Sequence, residues 1–193
     1  MIKIFKVASL VGVLTFCVIQ TCHCGDMLKN GGFEQGNFPP EEWSDWSGNE
    51  YEDPNNGVAG FPTPKELSRT GNKAVGKILY GTGKRWGGFS QTVEVSGGGR
   101  FNASGYVMNN KNDVALGRGA KVFLEVKFLS GDEEEIKKVK SANVTRPTDW
   151  KKLSANGLVP HNARQAVYSF VFTGEKSSRG KVIFDDAKLV IDR

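Results

Sequence analysis

The chain has 193 residues, a formal charge of +5, three cysteines and two histidines. That length suits one domain with a substantial core. The basic residues alternate with acidic ones instead of forming a tract, which argues against a nucleic-acid-binding surface. Cys17, Cys22 and Cys24 all lie near the N-terminus. The remainder of the chain therefore has no thiol for a disulfide, a zinc thiolate site or a cysteine nucleophile.

The first 24 residues read as a secretory signal peptide. Lys3 and Lys6 make a positive start, Val7 to Ile19 is an apolar run, and Gln20 to Cys24 is a more polar end. The run is short for a membrane span. Cleavage near Cys24-Gly25 predicts a secreted, extracellular domain over residues 25–193, with no membrane attachment.

From Asn30 onward, period-two alternation and glycine turns predict strands. Residues 73–80 form the first. Gly88 to Val95 and Phe101 to Met108 follow, each closed by a turn. In the second of these, Phe101, Ala103, Gly105 and Val107 share one face, and Asn102, Ser104, Tyr106 and Met108 the other. Residues 109–119 are a polar loop. Lys121 to Leu129 places Val122, Leu124, Val126 and Phe128 inward, with Phe123 and Glu125 opposite. Glu133 to Lys140 contains helix formers but follows a hairpin turn, and its lysines suit an edge strand. Short strands at 150–154, 165–173 and 182–191 complete the set. Residues 37–66, rich in proline, glycine, asparagine and acids, read as irregular. The pattern is an all-β sandwich with no long amphipathic helix.

The final strand, Val182 to Ile191, contains two adjacent acids, Asp185 and Asp186. Alternation sends them to opposite faces, and a buried carboxylate needs a partner. Asn30-Gly31-Gly32-Phe33-Glu34 offers a second carboxylate beside close-approach backbone. The first and last segments are therefore expected to meet at an oxygen-rich site.

An ordered set of short motifs then resembles a family. Asn30-Gly31-Gly32-Phe33-Glu34, Ser68-Arg69-Thr70-Gly71, Phe89-Ser90-Gln91-Thr92-Val93, Thr148 to Leu153, Val159-Pro160 and Phe184-Asp185-Asp186-Ala187 together look like carbohydrate-binding modules of families four, nine and twenty-two. The resemblance spans residues 29–191. It implies a β-sandwich jelly roll of the galactose-binding-domain-like type, often holding a structural calcium where the first and last strands meet. By resemblance, the ligands would be Glu34 and Asp186, with carbonyls from Gly32 and the Arg69 to Lys73 turn, and Asp185 as the substitute.

The resemblance also implies a non-catalytic module that recognises a polysaccharide such as xylan, β-glucan or a cellulose-like chain. Such modules usually accompany a glycoside hydrolase. Sugar recognition needs an aromatic face for pyranose C–H groups and planar polar groups for hydroxyls. Trp86, in a glycine-flanked turn, and Tyr106 are the expected stacking residues, with Phe123 beside them and Tyr168 and Phe170 as further candidates. Arg85, Asn109 and Glu125 are the expected hydroxyl partners. Trp43 and Trp46 read as packing residues and Trp150 as core.

Catalysis has few parts here, because His161 is the single histidine beyond the leader. The alternative is an extracellular matrix, wall or coat protein on the same fold without sugar binding. Asn102 and Asn143 begin N-glycosylation sequons. A glycan on Asn102 would crowd a site built around Tyr106.

Overall fold

The computed structural model describes residues 25–192; the expected leader over residues 1–24 lies outside them. Ten strands follow in order: β1 (Ser44–Asn49), β2 (Gly57–Pro62), β3 (Val75–Tyr80), β4 (Arg85–Glu94), β5 (Arg100–Asn109), β6 (Lys121–Leu129), β7 (Glu135–Lys140), β8 (Thr148–Leu158), β9 (Gln165–Gly174) and β10 (Lys181–Asp192). They form two five-stranded sheets, ordered β1-β4-β9-β6-β7 and β2-β3-β10-β5-β8. Every pairing between strands is antiparallel. The architecture is the expected all-β sandwich.

Alternation builds the core. Val122, Leu124, Val126 and Phe128 of β6 face Phe101, Ala103 and Val107 of β5 across the sandwich, together with Ala166, Tyr168, Phe170 and Phe172 of β9. Phe170 stacks on Phe184 of β10 with centroids 4.6 Å apart. Gly105 in the middle of β5 makes room for this cluster: a Cβ there would sit 2.3 Å from Phe170 Cζ. Tyr168 and Phe170, considered above as sugar contacts, are fully buried core residues. The Tyr168 hydroxyl donates to the Ser104 carbonyl at 2.8 Å, linking the sheets.

Residues 37–66 contain two strands that alternation in the sequence did not reveal. β1 has its polarity reversed. Its core-side positions are Asp45, Ser47 and Asn49, while Ser44, Trp46 and Gly48 face outward. The inward polar groups are all engaged. Ser47 Oγ accepts from Val58 N–H at 2.9 Å, and Asn49 Nδ2 donates to the carbonyls of Asp53 and Asn56 at 2.9 and 3.0 Å. Asp45 pairs with Lys77 of β3, whose ammonium also donates to the carbonyls of Trp46 (3.0 Å) and Val58 (3.3 Å). Burial lowers the Lys77 pKa, against the raising effect of its bond to Asp45.

The pair is asymmetric: the Lys77 side chain is fully buried and Asp45 keeps partial access to water. Asp45→Ala, which strands a buried ammonium, is expected to cost about 3–5 kcal/mol. Lys77→Met, which leaves a partly solvated carboxylate, should cost about half as much. Urea unfolding of both variants checks the order.

β7 pairs only with β6 and closes its sheet, as its lysines suggested. Trp150 is half-buried on β8 and lies outside the core cluster, contrary to expectation. β8 is a sheet edge, so one flank of the indole has no neighbouring strand to cover it.

Candidate functional site: an aromatic and basic groove on one sheet face

The outward face of the β1-β4-β9-β6-β7 sheet follows from its registers. One cross-strand row reads Gly48, Trp86, Thr173, Lys121. The next reads Trp46, Gly88, Val171, Phe123. The third reads Ser44, Ser90, Ser169, Glu125, Lys140, and the fourth Thr92, Val167, Lys127, Lys138. Three of the expected site residues, Trp86, Phe123 and Glu125, therefore share one face.

The tryptophans form a reciprocal pair. Trp46 lies opposite Gly88 and Trp86 opposite Gly48. A Cβ on Gly48 would come within 2.6 Å of Trp86 Nε1, and one on Gly88 within 2.8 Å of Trp46 Cζ2. Each indole thus lies down over the partner strand's glycine, and two aromatic surfaces sit side by side at one edge of the sheet. Trp86 remains 40% exposed.

Between this edge and β7 the outward residues are low. Ser169 (4%), Val171 (6%), Glu125 (7%) and Phe123 (8%) are nearly inaccessible although they point away from the core. Short side chains on β4 and β9, flanked by indoles on one side and lysines on the other, make a groove parallel to the strands. On the lysine side, Lys140 reaches Glu125 at 3.1 Å and Lys127 reaches it at 3.9 Å. The Lys140 ammonium also stands 4.6 Å from the Phe123 ring centroid.

The other expected contacts lie elsewhere. Arg85 neighbours Trp86 and so points to the opposite face. It is 1% exposed and donates to the carbonyls of Tyr80, Gly81, Gly83, Lys176 and Ser178 at 2.8–3.2 Å. Asn109 is buried, donating to the carbonyls of Val114 and Lys181 and accepting from Leu116 N–H. Both staple loops and have no donor left for a sugar on this face. Tyr106 is on β5 in the other sheet, where the Arg69 guanidinium covers its ring at 3.5 Å. Asn102 shares that other sheet, so a glycan on it would not crowd the groove.

Trp46 is the groove residue that the sequence reading assigned to packing. Its signal is the Trp-x-Gly pattern that occurs at Trp46-Ser47-Gly48 and again at Trp86-Gly87-Gly88, which sets each indole over a glycine when the strands pair antiparallel. Trp43, by contrast, is buried against Phe33 and Tyr168.

No protein-family model matches the chain, and no curated protein matches it. Solved structures do. A family 61 carbohydrate-binding module, TmCBM61 in complex with β-1,4-galactotriose, superposes with a TM-score of 0.57 at 20% identity, over 87% of this chain and 99% of that one. The xylan-binding family 22 module of Paenibacillus barcinonensis Xyn10C gives 0.54 at 16% identity, over 84% and 93%. The enzymatically active domain of tailspike protein 4 from bacteriophage CBA120 gives 0.63 at 14% identity, over 86% of this chain but only 21% of the tailspike chain. The chain has the β-sandwich fold of carbohydrate-binding modules.

In the modules resembled above, a calcium ion often joins the first and last strands. Here those segments do meet: Met27 N–H donates to the Leu189 carbonyl and Ala187 N–H to that of Gly31, at 2.7 and 2.8 Å. The carboxylates converge on the Arg69 to Lys73 turn, but they meet N–H donors there. Asp185 accepts from the N–H groups of Arg69 (2.8 Å), Thr70 (3.2 Å) and Asp186 (2.7 Å). Burial pushes its carboxyl up to about 6, against the lowering effect of those three bonds. Asp186, held at φ +49° in the bulge of β10, binds the Arg69 guanidinium and the Thr70 hydroxyl, each at 2.5 Å. Glu34 Oε1 accepts from the N–H groups of Asn72 and Lys73 at 2.8 and 3.0 Å. Calcium takes six to eight oxygens. As arranged, the carboxylates at this turn accept from N–H groups, a hydroxyl and a guanidinium, and among the described residues no three acids, histidines or cysteines group together.

Proposed function

We propose that the chain is a secreted, non-catalytic module that binds a β-linked polysaccharide along the groove. The observation that carries this reading is the reciprocal Trp46 and Trp86 platform. Two indoles lie flat on an open sheet face, where core packing does not require them. Such rings offer apolar faces to pyranose C–H groups. Ser44, Ser90, Thr173, Glu125 and Lys140 supply hydroxyl, carboxylate and ammonium groups nearby for sugar hydroxyls. The galactotriose complex and the xylan-binding domain among the similar structures favour a β-1,4-linked chain of the galactan, xylan or glucan kind. The groove floor has one carboxylate among the described residues, Glu125, whereas glycoside hydrolysis ordinarily needs two facing ones. Secretion rests on the leader motif. A glycoside hydrolase is the partner proposed from the resemblance.

The test is retention of the folded chain by a panel of insoluble and soluble polysaccharides. Binding to one β-glycan class is expected. A folded sample that binds none would overturn the reading in favour of an extracellular structural protein.

Calcium, proposed from the resemblance, has its own test in melting curves with EGTA and with added calcium. An ion there would take Glu34 and Asp186 from their N–H, hydroxyl and Arg69 partners, and an unchanged curve would count against it. A clear fall with EGTA would show Glu34 and Asp186 turning onto an ion.

A further inference from the structure

We infer that the glycan taken by this groove is anionic, a chain carrying uronate carboxylates or sulfate esters. The inference rests on the polysaccharide reading above and concerns the side of the groove opposite the tryptophans. Lys127, Lys138 and Lys140 occupy two adjacent cross-strand rows on β6 and β7, around the single carboxylate Glu125. Glu125 is shared between Lys140 at 3.1 Å and Lys127 at 3.9 Å, so one ammonium is left uncompensated. Lys138 leans toward Glu135 at the rim (3.1 Å), and Lys121, in the row of Trp86, toward Glu175 (3.9 Å). These are partly exposed pairs of the kind that contribute little and exchange partners readily. A recessed groove with low-dielectric walls strengthens the field of the excess charge on a ligand.

The spacing suits this chemistry. β4 and β6 are separated by β9 alone, about 10 Å across the sheet, and the row of Glu125 and Lys140 lies one along from Trp46 and two from Trp86. A sugar following the one stacked on the platform would bring its carboxylate or sulfate to Lys127 and Lys140. Lys140 also covers the Phe123 ring, at 4.6 Å. An anion that draws this ammonium aside would uncover a third aromatic surface for the next sugar.

The experiment is affinity electrophoresis and calorimetry on the leaderless chain. The probes are polygalacturonate, a sulfated galactan, neutral β-1,4-galactan, neutral xylan and a single-stranded oligonucleotide. An anionic glycan should bind about tenfold more tightly than its neutral counterpart at low salt, and the advantage should vanish at high salt. The uronate and sulfate probes separate the two sources of charge. Lys127→Gln with Lys140→Gln should lose that tenfold preference; because it leaves the nearly buried Glu125 without a cation, affinities are compared at a temperature where the variant is folded. Lys152→Gln with Lys188→Gln, on the other sheet, should keep it. Equal affinity for neutral and anionic chains overturns the inference and leaves the polysaccharide reading intact. Equal loss in both lysine pairs, or tighter binding of the oligonucleotide than of any glycan, overturns it as diffuse charge attraction. Binding to no polysaccharide overturns both readings.

Discussion

Trp86→Ala is expected to abolish glycan binding while leaving the melting temperature nearly unchanged. The indole is exposed on the sheet face and rests on Gly48, so its removal opens no cavity in the core. What disappears is one of two flat apolar surfaces available to a pyranose. Aromatic anchors of this kind carry about 2–4 kcal/mol on truncation, which is roughly a 30- to 1,000-fold loss of affinity. Trp46→Ala should weaken binding in the same direction. It should also cost some stability, because Trp46 is half-buried over Gly88. Calorimetric titration against the polysaccharide found in the panel, beside thermal melts, separates the two quantities. Full affinity in Trp86→Ala would remove the platform from the mechanism, whereas a large fall in melting temperature would make the indole a packing residue.

The neighbouring substitution should do the reverse. Arg85→Ala is expected to destabilise the fold by about 3–5 kcal/mol, the range for stranding buried partners of a charged group. Its guanidinium holds the carbonyls of Tyr80, Gly81 and Gly83 in the β3–β4 turn and those of Lys176 and Ser178 in the β9–β10 connection. It also donates to Ser178 Oγ at 3.1 Å. Removing it leaves these acceptors without their donor and frees two turns from one another. A chain of this size should lose roughly 10 °C of melting temperature. Arg85→Lys should recover little, since an ammonium cannot reproduce the planar fork. At a temperature where the variant is still folded, glycan affinity should match the parent, because the side chain points away from the groove. Lost affinity in a folded Arg85→Ala sample would return Arg85 to the sugar site.

These two adjacent residues mark the limit of what could be read in the chain. The sequence has a glycine-flanked Arg85-Trp86 pair, and both looked like sugar contacts. Strand alternation separates them, but its phase depends on which face meets the second sheet, and that is a tertiary fact. The same holds for Tyr106. Its in-strand facing was read correctly, yet β5 belongs to the other sheet. β1 was missed for a related reason. Its core-side positions are Asp45, Ser47 and Asn49, and polar residues on that side make sense only once Lys77, Val58 N–H and the residue 53–56 turn are brought to them.

The sequence by itself determined the class of fold and most of its core. Alternation in β5 and β6 gave the buried faces, because period-two apolar spacing has only one way to be buried in a half-covered sheet. It also placed Phe123 and Glu125 together on the face of β6 away from the core. Only the tertiary structure decided the groove. Trp46 and Trp86 are 40 positions apart, and Lys127 and Lys140 lie on either side of a hairpin turn. Their meeting depends on the order β1-β4-β9-β6-β7, which is set by long-range pairing and by the packing of one sheet against the other. The lysines that alternate with acids along the chain thus gather on one wall, and a mildly basic composition becomes a local excess of positive charge facing two indoles.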